Sequence, residues 1–231
     1  MQIVPILIIV LFIFLFFKLK SKFKNVNTGC FTVIDGGLKC GKSTLNTYLS
    51  IRDYKRNLRQ WKVKCFFCKL FKKNLPEKPV LISNIPLACD YVPLTLDLLL
   101  RKKRPPYKSI LSINEGSLLA DSKLIYDEEI NKQILLFFKL FGHMTKGGKC
   151  YVDSQQISDL HFGMKRSTSN YIYIHSLTKW IPFILIANVR ELLHNEDGDV
   201  INNFDGDIAD STKKIIFLKS VWKKFANMSW I

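Results

Sequence analysis

Two spacings of apolar residues alternate along most of this chain. Short continuous runs rich in β-branched and aromatic residues, "CFTVID", "PVLISNI", "SILSIN", "KCYVDSQ", "NYIYIHS", "PFILIANV" and "KKIIFLK", predict buried strands. Between the first four lie helical patterns. "KSTLNTYLSIRDY" and "LTLDLLLRKK" are two, the second stopped by Pro105 and Pro106. "DEEINKQILLFFKLFGHM" is a third, with acidic residues in its first turn and a glycine near its end. Strands that alternate with helices predict an α/β fold, with a mostly parallel sheet and helices on both faces. No internal repeat or low-complexity linker interrupts the pattern.

The first residues follow neither spacing. Residues 1–17 carry no charge and are mostly Ile, Leu, Val and Phe. At about 1.5 Å per helical residue, this run meets the lower end of what a ~30 Å hydrocarbon core requires. Lys18, Lys20, Lys22 and Lys24 follow it, and no small-residue cleavage site appears. That order is the reverse of a secretory leader. The expectation is one N-terminal transmembrane helix, with the body in the cytoplasm. The chain then divides into an anchor with its basic flank, residues 1–24, and a single α/β domain, residues 25–231.

Composition sharpens this picture. A hydrophobic fraction of 48% in 231 residues fills one core and excludes a disordered chain. The net charge of +16 points to anionic partners, nucleic acid or lipid head groups. The six cysteines are scattered, with Cys40 inside a glycine-rich loop, and are read as reduced thiols. Cys65 and Cys68 form one C-x-x-C, but no second ligand pair accompanies it at zinc-site spacing.

That glycine-rich loop carries the chemistry. Gly36, Gly37, Leu38, Lys39, Cys40, Gly41, Lys42, Ser43 and Thr44 read G-x-x-x-x-G-K-S between a predicted strand and a predicted helix. Gly36 and Gly41 allow backbone N–H groups to turn around phosphates, and the helix beginning near Lys42 aims its positive end at the same oxygens. Lys42 is expected at the β- and γ-phosphates of ATP and Ser43 on Mg²⁺. A carboxylate at a neighbouring strand end is needed as well. "SILSINEGS" supplies Glu115 as candidate general base, and Asn114 stands where an Asp usually meets the metal's water shell. In "VDSQQ", Gln155 is the candidate γ-phosphate sensor, with Asp153 or Gln156 as substitutes. Asp121 and Asp153 are the further candidates for the base. Arg166, before "NYIYI", is a candidate phosphate-reaching arginine on its own or a neighbouring subunit.

The succession "TVIDGGLKCGKST", "PVLISNIPL", "SILSINEGS" and "KCYVDSQQISDLHFGMKRSTSNYIYI" resembles the zonular occludens toxin-like (Zot-like) proteins, which include the gene I assembly proteins of filamentous phages. They look related to the FtsK–HerA class of ring-forming DNA motors. The resemblance covers roughly residues 29–174. It implies an inner-membrane ATPase that drives assembly and extrusion of a single-stranded DNA phage. It also implies a homo-oligomeric ring, with single-stranded DNA or phage nucleoprotein and phage coat or assembly proteins as partners. Carried over, residues 36–44 bind nucleotide, Glu115 activates water, Gln155 senses and Arg166 is the arginine. The chain departs from the better-known members in Asn114 and in an apolar run that precedes the ATPase domain instead of following it.

Two other functions fit part of the pattern. "FTVIDGGLKCGKST" also looks like the start of a thymidylate kinase, but the Asp-Arg pair that grips an acceptor nucleotide is missing. A non-catalytic nucleotide-binding membrane scaffold fits Asn114. Finally, residues 55–73 interleave eight Lys and Arg with Trp61, Phe66, Phe67 and Phe71. Single-stranded DNA binding, lipid contact and plain core packing are the three readings of that insert.

Overall fold

The computed structural model describes residues 26, 28–116, 128–160, 162–181, 184–192 and 213–218. The expected anchor at residues 1–24 and the alternative acid Asp121 lie outside the described residues. Among the described residues no helix is long and apolar enough to cross a membrane.

In chain order the elements are β1 (Phe31–Asp35), α1 (Lys42–Leu70), β2 (Leu81–Ser83), β3 (Val92–Pro93), α2 (Leu96–Leu99), β4 (Ile110–Ile113), α3 (Glu128–Met144), β5 (Lys149–Asp153), α4 (Phe162–Ser167), β6 (Asn170–Ile181), β7 (Ile184–Leu192) and β8 (Lys213–Leu218). The strands form one sheet in the order β3-β2-β4-β5-β1-β6-β7-β8. From β3 to β6 every pairing is parallel. The β6–β7 and β7–β8 pairings are antiparallel. The expectation of a mostly parallel sheet therefore holds for the core, and the last strands make it a mixed one. Only two residues separate β6 from β7, too few for the crossover that a parallel neighbour requires.

The continuous apolar runs are explained by burial on both faces. In β1, Phe31 and Val33 face one layer with Phe137, Phe138 and Phe141 of α3. Ile34 faces the other layer, with Leu45 and Leu49 of α1. All eight side chains are nearly or wholly removed from water. At about 25 cal/mol per Å², each such side chain contributes roughly 1.5–3 kcal/mol, which holds the strands against both helical layers.

The helix expected to end near Tyr54 continues to Leu70. Neither glycine nor proline interrupts it, so the basic insert simply propagates the helix. Its twenty-nine residues span roughly 43 Å. The last buried residue is Asn57, so the final three turns project past the sheet. Along the face that packs on β4 and β5 runs a buried polar seam: Asn46, Ser50, Asp53 and Asn57. Their spacing of three and four residues keeps all four on that face.

Candidate functional site

The site stands at the C-terminal ends of the parallel strands, the usual ligand edge of an open α/β sheet. β1 ends at Asp35 and the chain turns through residues 36–41 into α1. Gly36 has φ 156°, and a Cβ there would stand 2.6 Å from the carbonyl oxygen of Ile174 on β6. Gly41 has φ 91° and caps α1 in the left-handed region, with Leu177 of β6 against it. The two glycines of the motif thus answer both the turn and the close approach of β6. No side chain caps the helix, which leaves its N-terminal end for an anion. Lys42 folds across the loop, its Nζ donating to the carbonyls of Gly36 at 2.6 Å and Gly37 at 2.8 Å. Leu38, 77% exposed, forms the crest.

β5 lies between β1 and β4, so two strand ends face the loop. Asp153 closes β5. Its carboxylate is buried; Oδ1 accepts the Glu115 N–H at 2.6 Å, and Oδ2 lies 3.3 Å from Asn46 Nδ2. Burial pushes its pKa up to about 6, against the Glu115 N–H, the Asn46 and Ser43 side chains and the charge of Lys42, all of which pull it down. A carboxylate held this uncomfortably beside the Ser43 hydroxyl fits a divalent cation, which would relieve it.

Asp153 therefore occupies the acidic place that the sequence reading assigned to Asn114. Asn114 is buried instead, its Oδ1 accepting from Asn46 Nδ2 at 3.2 Å and its own Nδ2 left without a partner among the described residues. The reason is topological: β5, not β4, is the direct neighbour of β1, so its end comes closest to Ser43. Asn114 is held by its backbone, whose N–H donates to Asn84 Oδ1 and whose carbonyl accepts from Asn84 Nδ2, both at 2.8 Å. Asn84 is the Asn of the "SNIPL" segment, so that segment fixes the end of the neighbouring strand.

Glu115 follows, exposed, with φ 54°. A left-handed conformation in a non-glycine residue costs roughly 1–3 kcal/mol, and here the bond to Asp153 holds it. The turn lifts Glu115 off the β4 line at the loop's edge of the sheet. Asn46 ties the parts together: besides Asn114 and Asp153, its Nδ2 donates to the Ile113 carbonyl at 2.7 Å, and its Oδ1 accepts from the Ser50 and Ser112 hydroxyls. Sequence reasoning missed Asn46. Its signal was a polar residue on the buried side of an amphipathic helix, between Leu45 and Leu49.

Gln155 is exposed in the loop after β5, two residues beyond Asp153 and on the same edge. Its neighbour Ser154 is tied by its N–H to the carbonyl of Ile34 at the end of β1. Gln156, the substitute, is exposed as well, and its carbonyl accepts from the Ser154 hydroxyl. Arg166 is exposed on the last turn of α4, three residues before Ser169, which bonds Phe31 at the start of β1. The structure brings Lys42, Ser43, Asp153, Glu115 and Asn114 together and does not bring Arg166 to them within one chain.

No family model and no curated protein matches the chain. Among solved structures it is similar to the N-terminal domain of zonular occludens toxin from Neisseria meningitidis, at 12% identity and TM-score 0.49, over 87% of this chain and 100% of that one. It is also similar to the genome packaging NTPase B204 from Sulfolobus turreted icosahedral virus 2 in complex with AMPPCP, at 14% identity and TM-score 0.42, over 67% and 77% of the two chains. A third similar structure is the flagellar accessory protein FlaH from Methanocaldococcus jannaschii, at 15% identity and TM-score 0.40, over 87% and 90%. The group that the motifs resemble is thus among the chain's structural neighbours.

Proposed function

We propose that this chain is a Mg²⁺-dependent P-loop ATPase, anchored in the inner membrane by residues 1–17, that drives assembly and extrusion of single-stranded DNA phage. The observation that carries the catalytic part is the convergence of Lys42, Ser43, Asp153 and Glu115 on one glycine loop at the helix N-terminus. The loop amides and Lys42 hold the β- and γ-phosphates and offset the charge that develops on them during transfer. Ser43 and Asp153 would hold Mg²⁺, which supplies further charge neutralisation at those oxygens. Glu115 accepts the proton of the attacking water, its backbone fixed by Asp153. The unpartnered Nδ2 of Asn114 is a donor for that water or a phosphate oxygen. Gln155, exposed on the same edge, meets the γ-phosphate as the sensor. Arg166, away from the loop of its own chain, acts in a ring by reaching the nucleotide of a neighbouring copy.

The motor reading is supported by the motif succession, the basic balance and the apolar N-terminal run. It is tested by measuring ATP hydrolysis by the full chain with and without single-stranded DNA, alongside phosphoryl transfer to nucleoside monophosphates. Hydrolysis stimulated by DNA, with no transfer, is the expected result. Transfer to a monophosphate makes it a kinase, and nucleotide binding without turnover makes it a scaffold.

A further inference from the structure

The projecting half of α1 exposes an apolar stripe that nothing among the described residues covers. Val63, Phe66, Phe67 and Leu70 are 57%, 66%, 50% and 63% exposed, and their spacing sets them on one side of the helix. Phe66 and Phe67 pack edge to face at 5.7 Å, so the patch is continuous. This excludes core packing as the explanation for these two rings. Lys62 and Lys69 flank the stripe on one side and Lys64 on the other, all exposed. The projection is also held in place. Trp61 Nε1 donates to the Pro76 carbonyl at 2.8 Å, and the helix ends where the Lys73 N–H bonds the Cys68 carbonyl.

We infer that this stripe docks into the interface of an anionic bilayer, with its phenylalanines among the acyl chains and its lysines at the head groups. Lysines flanking an apolar face are the pattern of an interfacial helix, since their stems lie along the apolar surface while the ammonium groups stay with lipid phosphate. Single-stranded DNA fits the charges equally well, but it stacks bases on aromatic faces and gives no reason for Val63 and Leu70 to be bare. Position supplies the second argument, which rests on the reading of residues 1–17 as the anchor. Val26, where the described chain begins, lines one cavity with Arg52, Arg56, Arg59 and Lys149 around the single carboxylate of Asp53, and Val63 lies one helical turn beyond Arg59. From Phe17 to Val26 the chain reaches at most about 30 Å, even fully extended. From Arg59 to Leu70 the helix advances about 17 Å. A membrane that holds the first segment therefore lies within reach of the stripe. The cationic cavity at the base of the stripe shares the N-terminal edge of the sheet and adds to the attraction. The phosphate loop, on the opposite edge, is left facing the cytoplasm.

The test places the photoreactive p-benzoylphenylalanine at position 67 or, as a control, at position 38 on the loop crest, in the full chain reconstituted into vesicles. The vesicles are three parts phosphatidylcholine to one part phosphatidylglycerol. Both sites are exposed, so neither probe disturbs packing. Lipid adducts at position 67 should exceed those at position 38 by about tenfold, and should fall when phosphatidylglycerol is omitted. Adducts that join two copies, or that join added single-stranded DNA, overturn the inference in favour of those partners, as does lipid labelling no greater than at position 38. Alkaline extraction of the same vesicles reports the anchor separately. A chain that resists extraction without lipid adducts at position 67 keeps its anchor and loses the docking surface. A chain that alkali releases, yet labels lipid from position 67 at neutral pH, keeps the docking surface and loses the anchor.

Discussion

Lys42 offers the plainest test at the scale of one residue. Its ammonium bonds two loop carbonyls, at the place where phosphate charge has to be met. Lys42→Ala should lower ATP turnover by at least about 10²-fold with unchanged circular dichroism, since one preorganised charge at a transferring phosphoryl group is worth that much or more. Glu115→Gln should keep nucleotide affinity, measured by calorimetry, and lose about 10²–10⁴-fold in hydrolysis, because only the proton acceptor is removed. Asp153 makes a separate, pH-dependent prediction. Its pKa is raised from the ordinary carboxylate value of 3.8 to about 6, so the folded protein disfavours the ionised form. The associated stability is fully present below pH 3.8, declines as pH rises towards 6, and is gone above it. In metal-free buffer the advantage of Asp153→Asn over wild type should therefore be small at pH 4 and reach about 3 kcal/mol at pH 7, read from urea unfolding. An advantage that does not change with pH would mean that the carboxylate is not buried in solution.

At the scale of elements, the buried polar seam decides how α1 sits on the sheet. Asp53, 1% exposed in its side chain, accepts the Tyr151 hydroxyl at 2.7 Å and pairs with Lys149 at 3.1 Å and Arg52 at 3.1 Å. Burial pushes its pKa up, but the Tyr151 bond and the two cations outweigh burial and hold it below the ordinary value. The sign is opposite to that of Asp153: the stability it confers is present above pH 3.8 and is lost as pH falls through its lowered pKa. Asp53→Asn should cost about 3 kcal/mol at pH 7, and the gap to wild type should close in strong acid, both read from denaturant melts. Asn57, whose side chain donates to the Lys108 carbonyl, continues the seam towards the far edge. Strands and short helices were legible in the runs of apolar residues. The length of α1 was not, because its last turns are densely charged and carry no buried face, so the helical spacing of Val63, Phe66, Phe67 and Leu70 marked no core element.

At the scale of the whole molecule, the role proposed for Arg166 across an interface would make assembly part of catalysis. Neither Arg166→Ala nor Glu115→Gln chains should hydrolyse ATP well alone. Mixed in equal amounts in one membrane, they should recover activity, because some interfaces then pair an intact Glu115 with an intact Arg166. Mixtures as inactive as the separate variants would mean that Arg166 does not act across an interface.

The amino-acid sequence by itself determined the glycine loop, its lysine and serine, and the general plan of strands and helices. These depend on local backbone freedom and on short apolar periods, which neighbouring residues settle between them. Tertiary structure decided which carboxylate serves the serine. Residues 43, 115 and 153 meet only because β5 is inserted between β1 and β4, and strand order is not written in any local pattern. It also decided that Asn84 holds Asn114, that Asn46 joins both to Asp153, and that the rings of Phe66 and Phe67 face outward. Each of these is a contact, or the lack of one, between segments far apart along the chain, and packing alone selects among the partners that the residue types permit.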